Sequence, residues 1–192
     1  METILEVLLG IGLSAAAGFR VFVPLLVMSV AAQSGHLTLA PGFQWIATPA
    51  ATAVFGIATI VEILGFLVPW VSNALDSIAT PAAAIAGAIV LASVVTDMSP
   101  LLRWTLAVIA GGGVALTVQG ATVVTRAVSA GATGGVANPV VGIVEAISSL
   151  IVAIATIILP AFTGIVVVVA VFLILRKALP KLRAIRAARR TP

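Results

Sequence analysis

The chain has 192 residues, 61% hydrophobic and 8% charged, with a mean hydropathy of +1.29. A soluble domain of that length cannot bury so much apolar surface, so most of its solvent is lipid, with room for one membrane bundle and no second domain. The lack of cysteine excludes disulfides, thiolate catalysis and cysteine-based metal or iron–sulfur sites, and the single histidine, His36, excludes ligation of haem or quinone by paired histidines.

The net charge of +4 does not indicate nucleic acid. Arg176, Lys177, Lys181, Arg183, Arg186, Arg189 and Arg190 hold seven of the ten basic residues, leaving three positive and six negative groups in the rest. By the positive-inside rule this basic tail is expected in the cytoplasm. Met1-Glu2-Thr3 lacks a basic n-region, so the first hydrophobic run is read as mature protein.

That run, Thr3 to Ser34, would be about 48 Å long as one helix, against a hydrocarbon core of about 30 Å. Its middle, Ser14-Ala15-Ala16-Ala17-Gly18-Phe19-Arg20-Val21-Phe22-Val23-Pro24, is where the helix is expected to bend, break or re-enter. An arginine at that depth needs a carboxylate, a carbonyl or water. The polar interruption Gly35–Ala47 is expected outside. Beyond it, four pairs read as helix starts with a capping residue and proline: Thr48-Pro49, Thr80-Pro81, Ser99-Pro100 and Asn138-Pro139.

The resulting spans are 3–34, 49–70, 81–96, 100–130, 139–159 and 161–178, the third beginning as early as Ser77 on an alternative reading. Trp45 and Trp70 bracket the second as an interfacial aromatic belt would. Gly111-Gly112-Gly113 predicts a kink in the fourth. Pro160, with Gly164 behind it, supplies the corner between the last two. This gives an all-α polytopic bundle over 1–178 with six spans, or five without that corner, and both termini cytoplasmic. The small residues of Gly131–Ala137 form a cytoplasmic turn, and the tail 179–192 is expected to lie along the anionic leaflet.

The halves 1–97 and 98–178 share a plan: overlong spans one and four carry Arg20 and Arg126, and spans two and five carry Glu62 and Glu145. Three spans per half would make such a repeat inverted. Hydrophobic helices also resemble one another without any repeat.

Asp97 and Arg103 are expected at the outer surface, solvated. Asp76, in a polar segment at the inner interface, reads either as a capping or surface residue or as a functional one. Arg20, Arg126, Glu62 and Glu145 remain at membrane depth, either as pairs lining a polar path for an anion, proton or cation, or as ion pairs locking helices together. Ser14, Gln119, Asn73 and Asn138 are the neutral polar groups that could complete a site or simply join helices. Small residues four apart, Gly12…Ala16, Ala83…Gly87 and Gly131…Gly135, suit close helix packing. The sequence carries no phosphate loop, zinc-protease, nucleophile-elbow or dinucleotide signature, so no enzyme activity, cofactor or metal is expected.

Gly12–Pro24, Leu75-Asp76-Ser77-Ile78-Ala79-Thr80-Pro81 with the following Ala82–Gly87, and Thr133–Pro139 with Glu145 resemble the signatures of a bacterial family of small multi-pass membrane proteins, domain-of-unknown-function family 4126. The resemblance runs from span one to span five and brings no activity. It implies an inner-membrane location and raises Asp76 and Asn138 as site residues. Three functions follow: a small carrier or channel for an ion or solute, a non-catalytic subunit or assembly factor of a larger membrane complex, or an intramembrane enzyme acting on lipid. The expected partners are the lipid bilayer, a second copy or a larger complex, and anionic lipid at the tail.

Overall fold

The computed structural model describes Glu2–Ala188, without the side chains of Pro69, Trp70, Ser72, Asn73, Leu179 and residues 181–188. The expected roles of Trp70, Asn73 and the basic tail side chains from Lys181 onward lie outside the described residues. The described chain is helical throughout its ordered elements: α1 (Glu2–Phe19), α2 (Phe22–Gln33), α3 (Pro49–Leu67), α4 (Pro69–Val94), α5 (Pro100–Leu106), α6 (Gly113–Thr133), α7 (Asn138–Ile158) and α8 (Pro160–Ala188). A short 3-10 turn, Gln44–Ala47, precedes α3, and a wide π turn, Ala107–Gly112, joins α5 to α6. Among the described residues six stretches are long and apolar enough to cross a membrane: α1, α3, α4 from Ala74, the continuous α5–α6, α7, and α8 to Ala178.

Proline explains the first break. Pro24 has no N–H for the carbonyl of Arg20, four residues back, and its ring would crowd that carbonyl, which weakens the helix at Arg20, between α1 and α2. The chain instead folds back. Down α7, Ser149 Oγ donates to Ala16 O at 2.8 Å and Arg20 reaches Gly142 and Glu145, so α1 and α7 are antiparallel. At the other end Glu6 accepts from Thr96 N at 3.0 Å and also pairs with the Thr96 hydroxyl, while Ala40 N donates to Ser93 O at 2.7 Å. The start of α1 and the Gly35–Ala47 loop therefore share the C-terminal end of α4, here called the upper end. The first run is a re-entrant hairpin whose tip is Arg20.

Two sequence expectations change with it. One crossing by residues 3–34 would have put both termini on the same side. The hairpin places the start of α1 at the upper end, whereas α8, running alongside α1 with Gly164 against Leu8 and Val167 beside Ala15, carries Arg176 and Lys177 to the lower end. Inverted halves also required α1 and α5–α6 to run in opposite senses. They run in the same one: Ser14 meets Gly87 beside Gly111, and Gly18 meets Ala115 and Val118.

The other helix starts are mixed. Thr48 Oγ1 accepts from Ala51 N at 3.2 Å and Ser99 Oγ from Leu102 N at 3.5 Å, each ahead of a first-turn proline. Thr48→Val is expected to lower unfolding free energy by about 1 kcal/mol, read from denaturation in detergent. An unchanged midpoint would mean that the proline alone starts α3. Thr80 and Asn138 do not cap. Pro81 lies inside α4, which begins at Pro69, and Thr80 Oγ1 donates back to Asp76 O at 3.0 Å. Asn138 is the first residue of α7, follows Ala137 at the cap position and is buried. The expected corner at Pro160 is present.

The core follows from small side chains. α1 packs on α4, α6, α7 and α8, burying Gly10 and Gly12–Gly18. Its Ser14 hydroxyl lies within hydrogen-bond distance of the Gly10 and Gly87 carbonyls, 2.7 and 2.8 Å away. The expected irregularity of the fourth span is the π turn, where Gly111 lies against Gly87 so closely that a Cβ on Gly87 would be 2.6 Å from Gly111 O. Gly131 and Gly135 have open space around them and pack nothing; Gly134 and Gly135, with φ of 64° and 89°, turn the chain after α6. At the upper end Leu37, Ala40, Phe43 and Ile46 of the loop are buried, and Trp45 and Trp104 are half-exposed against Phe55 and Phe43. Arg103, expected to be solvated, is 9% exposed, with its guanidinium 5.9 Å from the Phe43 ring. Asp97 is exposed as expected.

Candidate functional site

The hairpin tip meets four helices at one level. Asp76, Arg126 and Glu145 each lie seven residues from the lower end of their helix, about 10 Å along its axis. Glu145 is the bridge. Its Oε2 is 3.1 Å from Arg20 Nη2 and its Oε1 is 3.1 Å from Arg126 Nε. Arg126 Nη1 continues to Asp76 Oδ1 at 2.5 Å. Arg20, Arg126 and Glu145 are 1%, 3% and 4% exposed, while Asp76 is half-buried.

Further donors and a ring complete the cluster. Arg20 Nη2 donates to Gly142 O at 2.9 Å and Arg126 Nη2 to Thr122 Oγ1 at 3.3 Å. The Phe66 ring takes both guanidinium groups, 3.9 Å from Arg20 and 4.5 Å from Arg126. Each such contact adds about 1–2 kcal/mol when water is excluded. Arg20 Nε and Nη1 and Asn138 Oδ1 are buried with no hydrogen-bond partner among the described residues.

Glu62 has a separate task. Breaking the helix at Arg20 leaves the first N–H groups of α2 without helical partners, and lipid offers none. Glu62 Oε1 accepts from Val21 N at 2.8 Å and Oε2 from Phe22 N at 3.1 Å. No guanidinium lies within 4.0 Å of it among the described residues. It remains within electrostatic range of both arginines. In formal charge the two arginines and the three carboxylates Asp76, Glu145 and Glu62 sum to minus one. A small cleft of about 200 Å³ between α6 and α7, lined by Thr122, Thr125 and Ser148, opens onto Glu145.

A sequence model described as "Domain of unknown function (DUF4126)" matches residues 7–179. The chain belongs to the DUF4126 family. Among curated proteins and among solved structures no match was found. The matched residues of this DUF4126 chain include every member of the charged cluster.

Of the residues singled out in the sequence, Arg20, Arg126, Glu145 and Asp76 come together, with Glu62 beside them. Asp76 is an ion-pair partner inside α4, not a cap or a surface group. Ser14 is spent on joining α1 to α4 and stays outside the cluster. Gln119 is buried with Nε2 unpartnered among the described residues. Phe66 was not anticipated; its signal was one helical turn of separation from Glu62, which puts both on one face of α3. Glu6, which ties α1 to the end of α4, also went unnoticed because terminal carboxylates are ordinarily solvated.

Proposed function

We propose that this DUF4126 protein is a small non-catalytic membrane carrier or channel whose transported or coupling species is a proton or small cation. The observation that carries the reading is the charge sum of the cluster at the re-entrant tip. Five ionisable groups from five helical segments leave one carboxylate uncompensated in a low-dielectric setting, and such a site gains by taking up a positive charge. Broken helices that expose backbone groups at a binding site recur in transporters. The basic lower end is assigned to the cytoplasm of an inner membrane by its positive charge, which puts the start of α1 on the far face.

The test is flux in proteoliposomes under an imposed pH gradient. The wild-type chain should dissipate the gradient faster than empty vesicles, and Glu62→Gln should abolish the difference while eluting as wild type on size exclusion. Equal rates for wild type and the folded variant would overturn the proposal. Purification adds a second reading. A stable oligomer of this chain alone agrees with a carrier, whereas fixed stoichiometry with another membrane complex would replace it by an accessory subunit.

A further inference from the structure

We infer that the cleft between the start of α2, α3 and α4 is a binding site for a lipophilic cation, an onium or amine group on an apolar body, entered sideways from the bilayer with its charge placed at Glu62. This goes beyond the proposal above by adding a second class of cation at Glu62, and it rests on that reading only for the claim that binding leads to transport.

The cleft arises from how the hairpin is held. α3 and α4 are joined by a tight turn at Val68-Pro69, yet α3 packs mainly on α2 and α7 while α4 packs on α1 and α6. The two helices touch where Gly65 meets Leu75 and enclose between them a space of about 540 Å³. That lies within the range of small-molecule sites, about 300–1,000 Å³.

Its walls are Phe22, Val54, Ile57, Val61, Leu75 and Ile78, and among the described residues that line it Glu62 alone is charged. Val54, Ile57, Val61 and Ile78 are exposed, so the mouth opens on the lipid-facing side of the bundle. Phe66, whose ring carries both arginines, also lines the space.

Charge decides the occupant. Each Glu62 oxygen accepts one backbone N–H and keeps a further lone pair, and no guanidinium reaches it. A lipid chain filling the cleft would leave the free lone pairs of Glu62 facing hydrocarbon, with both arginines beyond ion-pair distance. A cation with an apolar body satisfies the walls and the carboxylate together. An anion would meet Glu62 as a like charge and is excluded.

The experiment is equilibrium binding of radiolabelled tetraphenylphosphonium to the full chain in nanodiscs of phosphatidylcholine, which carry no net charge. Wild type should bind saturably. Glu62→Gln should weaken binding at least about tenfold, as loss of one member of a buried charge pair does. Since that change also touches the start of α2, Ala82→Phe serves as a second variant. It fills the cleft from α4, leaves Glu62 in place, and should weaken binding to a similar degree. Neutral triphenylphosphine oxide should compete poorly. Absence of saturable binding, equal binding by wild type and folded Glu62→Gln, unaltered binding by Ala82→Phe, or equal competition by the neutral compound would each overturn the site. Binding without flux supports the site and removes the carrier reading; flux without binding does the reverse.

Discussion

Glu145→Leu is expected to lower the unfolding free energy by about 3–5 kcal/mol, the cost of removing one partner from a buried ion pair. Among the described residues the carboxylate is the one anionic group paired with both guanidinium groups. Without it Arg20 keeps Gly142 O and the Phe66 ring, Arg126 keeps Asp76, and two like charges face each other across one ring. Arg20→Ala should be damaging for the converse reason: it leaves the buried Glu145 with a single guanidinium partner.

The compensated variant Arg20→Met/Glu145→Leu removes both charges and keeps apolar volume. It should recover most of the loss, because replacing a whole buried pair by packed hydrophobic groups is often close to neutral. Denaturant midpoints in one detergent for the single and paired changes would show the coupling. A wild-type midpoint in Glu145→Leu would mean that water, not protein, screens these arginines.

The second large effect is expected at Gly111. An added methyl group there meets the Gly87 carbonyl and the Leu91 side chain, the first being rigid backbone of α4. Gly111→Ala should therefore lower stability by about 1–3 kcal/mol through overpacking, even though alanine is the better helix former by about 1 kcal/mol. Gly120 provides the control, since a methyl group there meets nothing within 4 Å. Gly120→Ala should be neutral or stabilising. Equal behaviour of the two would show that α4 and the π turn can separate freely.

How much of this could be read from the sequence varies by residue. Composition and the proline-marked helix starts sufficed for an all-α polytopic bundle, for the irregular first and fourth segments and for the turn at Pro160. The direction of α2 was not legible, because a 12-residue apolar helix after a break can continue onward or double back, and only its packing against α3 and α7 decides. Pro81 misled because threonine before proline signals a helix start, yet in lipid α4 tolerates the missing hydrogen bond. Charges at depth were visible as a list. Which would meet was not, since the partners lie 122 residues apart for Arg20 and Gly142 and on separate helices for Arg126 and Asp76. Arg103 was misplaced because Phe43, from the distant Gly35–Ala47 loop, packs over it.

The hairpin tip is completed by segments made long after it. Val21 and Phe22 wait for Glu62 of α3, and Arg20 waits for α7, which a ribosome adding about 5–20 residues per second delivers some 6–25 seconds later. During that interval the nascent arginine has no permanent counter-ion, so the first helical pair has to be sheltered by the insertion machinery or held near the headgroups. Its final depth is then set when the seventh helix arrives, which makes membrane entry of this chain a process finished from its far end.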